Sequence, residues 1–79
     1  MKREEITVIV KKILSETTGV EEHEIKPFAH FREDLGVSPF ETAEVFSKIE
    51  QHFKISLPKN SIRTILEVNQ LIDLIEEEI

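Results

Sequence analysis

Few side chains in this 79-residue sequence are equipped for chemistry: three histidines, the adjacent carboxylates Glu33 and Asp34 and a handful of hydroxyls, with no cysteine at all. A metal site built from His23, His30 and His52 would need helical i, i+4 spacing or carboxylates on the same face. None of the three is so placed, and they read as surface histidines. Nucleophilic catalysis by a serine needs a base and an orienting group on a rigid scaffold, and a small helical chain offers little pocket for them. Glu33 and Asp34 stand just ahead of a helix, where they read as solvated charge favouring its positive end rather than as an acid-base pair. No catalytic residue, no metal and no enzymatic activity are therefore expected. Ser38 is the hydroxyl whose surroundings are distinctive. In Ser38-Pro39-Phe40-Glu41, Ser is a preferred N-cap, Pro suits the first helical position and Glu follows three residues after the cap.

The helix that starts there continues through Phe40, Ala43, Val45, Phe46, Ile49 and Phe53 to about His52, and Pro58 lies beyond any continuation. Before it, Ile6, Ile9, Val10, Ile13 and Leu14 recur at three- and four-residue steps, which predicts a first helix from about Arg3 to Thr17. Glu4 and Glu5 suit its positive end, and Gly19 supplies the left-handed geometry a helix exit prefers. From Val20 to Gly36 no helical period holds, yet Val20, Ile25, Phe28, Phe31 and Leu35 are spaced as apolar anchors. Spanning about 17 residues, this loop is longer than usual connections and is expected to be ordered by its anchors. After the Leu57-Pro58 connector, Asn60 or Ser61 caps a short turn through Ile62 and Ile65, and Val68, Leu71, Ile72, Ile75 and Ile79 form the inward stripe of a last helix. The run Glu76-Glu77-Glu78 opposes the dipole at that helix's end and predicts fraying. The expected fold is all-α, three long helices and one short in a single domain over residues 1–79.

Charge and composition narrow the partners. Ten Lys and Arg against sixteen Asp and Glu leave a net charge of -6, which would repel a nucleic-acid backbone. No apolar run approaches the roughly 20 residues of a membrane span, and no signal-peptide core follows Met1. The absence of cysteine suits the cytoplasm, and a monomer is expected.

The segment Asp34-Leu35-Gly36-Val37-Ser38-Pro39-Phe40-Glu41-Thr42-Ala43-Glu44 resembles the acyl carrier protein family, which carries D-L-G-x-D-S-L at the start of its second helix. The resemblance extends without a gap through Val10 to Leu14 and Gly19-Val20 upstream, and through Phe53, Leu57-Pro58, Ile65, Val68, Ile72 and Ile75 downstream. It implies a four-helix carrier whose serine at the second helix's first turn bears 4'-phosphopantetheine, on which acyl groups are held as thioesters. Here the family's Asp falls on Ser38, its Ser on Pro39 and its Leu on Phe40. Proline has no hydroxyl, so nothing can be esterified at the usual position.

Two readings follow. In the first, Ser38 is a structural cap, no cofactor is carried, and the chain is a non-enzymatic module that docks to carrier-protein partners. In the second, Ser38 bears 4'-phosphopantetheine one residue early and the chain shuttles acyl thioesters in fatty acid, lipid or polyketide synthesis. The resemblance also implies docking of helix two to basic patches on acyltransferase- or synthase-type enzymes. The matching positions are Phe40, Glu41, Ala43, Glu44, Ser47, Lys48, Glu50 and Gln51, where Lys48 and Gln51 weaken the acidic field. The same positions read equally well as an ordinary solvated face. Family members often shelter the acyl chain between their helices, and among the five Phe residues, Phe28 and Phe40 are the candidates to fill that space while Phe31, Phe46 and Phe53 read as core.

Overall fold

A computed structural model describes residues 1–79 as four helices: α1 Arg3–Thr18, α2 Pro39–Phe53, α3 Ser61–Thr64 and α4 Val68–Glu78, with one 3-10 turn at Glu22–Glu24. The chain is all-α, as its periodicity predicts, with three long helices and one short. No helix is long and apolar enough to cross a membrane.

α1 is the element on which α2 and α4 both pack, and the 3-10 turn leans on it as well. Its inward stripe is Ile6, Val10, Ile13 and Leu14, spaced three and four residues apart so that they share one face. Gly19 ends α1 at φ 82, a left-handed conformation that side chains disfavour, and its N–H donates to the Ser15 carbonyl at 2.8 Å. Val45, Phe46 and Ile49 of α2 and Val68, Leu71, Ile72 and Ile75 of α4 complete one contiguous core with Ile25, Phe31, Leu35 and Val37 of the loop.

At the outer end of this packing, Arg3 ties α1 to α4. Its guanidinium donates to Asn69 Oδ1 at 2.6 Å, pairs with Asp73 at 2.8 Å and also pairs with Glu76. The hydrogen bond to Asp73 and the neighbouring Glu76 raise the Arg3 pKa above its ordinary value. Glu76 thus has a cation beside it, and α4 stays helical to Glu78.

The long loop is stitched to the start of α4 rather than merely anchored by side chains. The Phe31 N–H donates to the Leu66 carbonyl at 2.9 Å, while the Val68 and Asn69 N–H groups donate to the Ala29 and Pro27 carbonyls at 3.1 and 2.9 Å. Loop carbonyls therefore satisfy two of the donors that the first turn of a helix leaves free. Within the loop, His30 Nδ1 accepts from the Arg32 and Glu33 N–H groups at 3.2 and 3.1 Å, and Asp34 Oδ2 accepts from the His30 N–H at 2.6 Å. His30 is thus a half-buried turn-former and not a surface histidine, and Asp34 closes the same turn instead of facing the helix that follows.

Several expected inward positions point outward, each for a geometric reason. Phe28 is 74% exposed because the turn closed by the Ala29 N–H on the Lys26 carbonyl at 3.0 Å leaves it at the corner, with small Ala29 facing the core. Phe40 is 73% exposed and Ala43 is also exposed, because the stripe set by Val45, Phe46 and Ile49 runs back to Thr42 at helical spacing. Burial of Thr42 is tolerated because its hydroxyl donates to the Ser38 carbonyl at 3.0 Å. Ile79 follows the last helical residue and is 49% exposed. Asn60 makes no side-chain cap: the N–H groups of Ser61, Ile62 and Arg63 already reach the carbonyls of Pro58, Lys59 and Asn60 in successive three-residue turns.

His30→Leu should leave two loop N–H groups without an acceptor and cost about 1 kcal/mol, lowering the melting temperature by about 4–8 °C in a domain of this size. His30→Asn, which keeps an acceptor, should lose less, and urea unfolding of both variants checks the order.

Candidate functional site: the start of the second helix

Gly36 prepares the site. Its φ of 66 turns the chain in a way that favours glycine, and Val37 beyond it is buried with its N–H on the Phe31 carbonyl at 2.8 Å. The backbone then emerges at Ser38 in an extended conformation, φ -77 and ψ 163, suited to an N-cap. Ser38 Oγ accepts from the Glu41 N–H at 3.1 Å and Glu41 Oε1 accepts from the Ser38 N–H at 3.1 Å, a reciprocal capping box. Between them Pro39 occupies the first helical position, where its missing donor would have had no partner within the helix. Ser38, Pro39 and Phe40 are all exposed.

Along α2, Phe40, Glu44, Ser47 and Gln51 recur at i, i+4, i+7 and i+11, so they share one outward face, with Ala43 and Lys48 exposed beside them. Glu41 and Glu50 are half-buried and committed to backbone amides. Glu41 closes the capping box, and Glu50 Oε2 accepts from the Leu57 N–H at 2.7 Å, holding the α2–α3 connector. Lys48 Nζ reaches Thr17 Oγ1 at 3.4 Å near the end of α1. Of the eight residues matched to a docking surface, six are therefore exposed, and Glu44 is their one exposed carboxylate. Neither Phe28 nor Phe40 enters the interior; the buried phenylalanines are Phe31 and Phe46, with Phe53 half-buried.

No group of three or more His, Cys, Asp or Glu is placed to hold a metal ion. Attachment of a phosphopantetheine needs a serine hydroxyl, and the residue at the first helical position of α2 has a ring carbon in its place. At the position that the resemblance gives to the attachment serine, the residues present thus do not fit the group. Ser38 Oγ, one residue earlier, is exposed but already accepts the capping bond.

Four helices with a long tethered loop ahead of the second, and a capped, solvent-facing start to that helix, agree with the carrier-type module that the sequence resembles. Residues 8–77 match the family described as the phosphopantetheine attachment site, and the chain belongs to that family.

The roles of His30, Glu50 and Thr42 were hidden from sequence reasoning. Each hydrogen-bonds backbone groups whose approach depends on the folded turn, and only Thr42 had a local signal, its place four residues after the cap.

Ser38→Ala should destabilise the fold by about 1 kcal/mol through loss of the cap. Glu41→Ala added to it should cost less than Glu41→Ala alone, because the two side chains serve one capping box. Chemical denaturation of the two single variants and the double variant measures the coupling.

Proposed function

We propose that the chain is a non-enzymatic carrier-type module that is not phosphopantetheinylated at the family's usual position and acts by docking to acyltransferase- or synthase-type enzymes. The observation that carries this reading is Pro39 at the first helical position of α2, where the family holds its attachment serine. The exposed α2 face of Phe40, Ala43, Glu44, Ser47, Lys48 and Gln51 is the proposed contact surface. With Lys48 on it and with Glu41 and Glu50 turned to backbone amides, its acidic field is weak. The partner's contact patch should accordingly be less basic and more apolar than one made for an acidic rail, with Phe40 as the exposed aromatic anchor. The proposed setting is the cytoplasm.

One observation favours a second reading. Ser38 is exposed, and its oxygen is engaged only as an acceptor, so its hydroxyl proton has no protein partner. A transferase able to reach one residue early would find a free O–H there, and the chain would then carry acyl thioesters on Ser38.

The double variant Ser38→Asp with Pro39→Ser separates these readings. Asp remains a good N-cap and Ser is tolerated at the next position, so the fold should survive with little change in melting temperature. Incubated with coenzyme A and a broad-specificity phosphopantetheinyl transferase, the folded double variant should gain the mass of phosphopantetheine on the introduced serine, and the parent chain should gain none. Modification of the parent would move the site to Ser38. Failure of the folded double variant would mean that α2 has also lost recognition by the transferase.

A further inference from the structure

The turn at residues 30–35 is built like the start of a helix, with His30 in the place that Ser38 holds for α2. His30 Nδ1 accepts from the N–H groups two and three residues on, Arg32 at 3.2 Å and Glu33 at 3.1 Å. The His30 carbonyl accepts from the N–H groups of Asp34 at 2.9 Å and Leu35 at 3.2 Å, and the His30 N–H donates to Asp34 Oδ2 at 2.6 Å. In both places a side-chain acceptor satisfies donors of a first turn while a carboxylate takes the N–H of the capping residue. The two differ in one respect. A serine hydroxyl keeps its lone pairs across the physiological range, whereas histidine is the side chain whose ordinary titration falls between about pH 5 and 8.

An imidazole accepts at Nδ1 only while that nitrogen is unprotonated, because both ring nitrogens of an imidazolium are donors. Protonation would set an N–H against the Arg32 and Glu33 N–H groups, and the closed turn has no room for three donors and no acceptor. Charged groups stand around the ring on every side. Glu33 and Asp34 belong to its own turn, and Glu67 lies opposite His30 in an isolated antiparallel bridge. The ion pairs of the fold, both made by Arg3, include none of these carboxylates, so they are free to attract an imidazolium that swings out of the turn. Arg32 and Arg63 line the same cleft as His30 and would repel an imidazolium kept in place, and α2 contributes only the uncharged Pro39 and Thr42 to that cleft. His30 is half-buried, so water reaches it while the turn is closed.

We propose that His30 is a proton-operated latch on the long loop: neutral, it closes the turn, and protonated, it releases the Arg32 and Glu33 N–H groups and loosens residues 32–37. Val37 ends that stretch with its N–H on the Phe31 carbonyl, directly ahead of Ser38, so the latch governs how firmly the start of α2 is held. The device depends neither on the covalent state of Ser38 nor on what docks to α2.

Amide and imidazole spectra of the isotope-labelled chain, recorded from about pH 7.5 down to about 5.5, test this in a range above the ordinary titration of carboxylates. The His30 ring should titrate within that range, and the amide shifts of Arg32, Glu33 and Val37 should move with the same midpoint. Hydrogen exchange at those three amides, corrected for its intrinsic pH dependence, should show at least about tenfold less protection at the acid end, as loss of their acceptors implies. Val10 and Leu71, buried in α1 and α4, should keep theirs. Asn carries its Oδ1 where His carries Nδ1 and does not titrate, so His30→Asn should abolish the response. His23→Gln and His52→Gln remove the other two imidazoles and should leave it intact. A His30 ring that stays neutral throughout the range, or Arg32 and Glu33 amides indifferent to its titration, would overturn the proposal. So would an undiminished response in His30→Asn, or its loss in either of the other variants. The parent titration decides by itself if His30→Asn does not fold.

Discussion

The reciprocal bond between Ser38 and Glu41 is the constraint from which the rest of the candidate site follows. It sets where α2 begins, and with the start fixed, helical geometry decides every later position: Thr42, Val45, Phe46 and Ile49 face the core while Phe40 and Glu44 face out. The same start leaves the first helical residue without a partner for its N–H, which is where proline costs least. Proline meets that local condition and offers no hydroxyl.

The surrounding architecture holds that start in place without disulfides. α1 packs on both α2 and α4, so displacement of either long helix would uncover the Ile6, Val10 and Leu14 stripe. The loop that delivers the chain to Ser38 is fixed at two points along its path. Its middle is bonded to the first turn of α4 through the carbonyls of Pro27 and Ala29, and its end is fixed by Val37 on the Phe31 carbonyl. His30 and Asp34 close the turn between these two attachments. The loop is long because it must span from the end of α1 to α4 and then to α2, and it is ordered because its backbone groups find partners on the way.

The elements that local periodicity specifies were legible in the sequence. α1 and α4 declare their inward stripes, Gly19 its left-handed exit, and Ser38-Pro39 the start of α2. A large apolar residue is not always an inward one. Phe28 and Phe40 are large and apolar, but a turn corner and a helix phase, both set by other residues, put them at the surface. What could not be read were pairings between segments apart in the chain: the loop with α4, and Glu50 with the Leu57 amide. Such contacts leave no periodic trace, because their partners are brought together only by the completed fold.

Membership of the phosphopantetheine attachment family makes the covalent state of the chain the property on which the proposed function turns. The direct measurement is the intact mass of the protein purified from the cells that naturally make it, with peptide mapping across Ser38. The account predicts the mass of the polypeptide alone and an unmodified Ser38-Pro39 peptide. A phosphopantetheine increment on that peptide would contradict it, and would make the chain a working carrier.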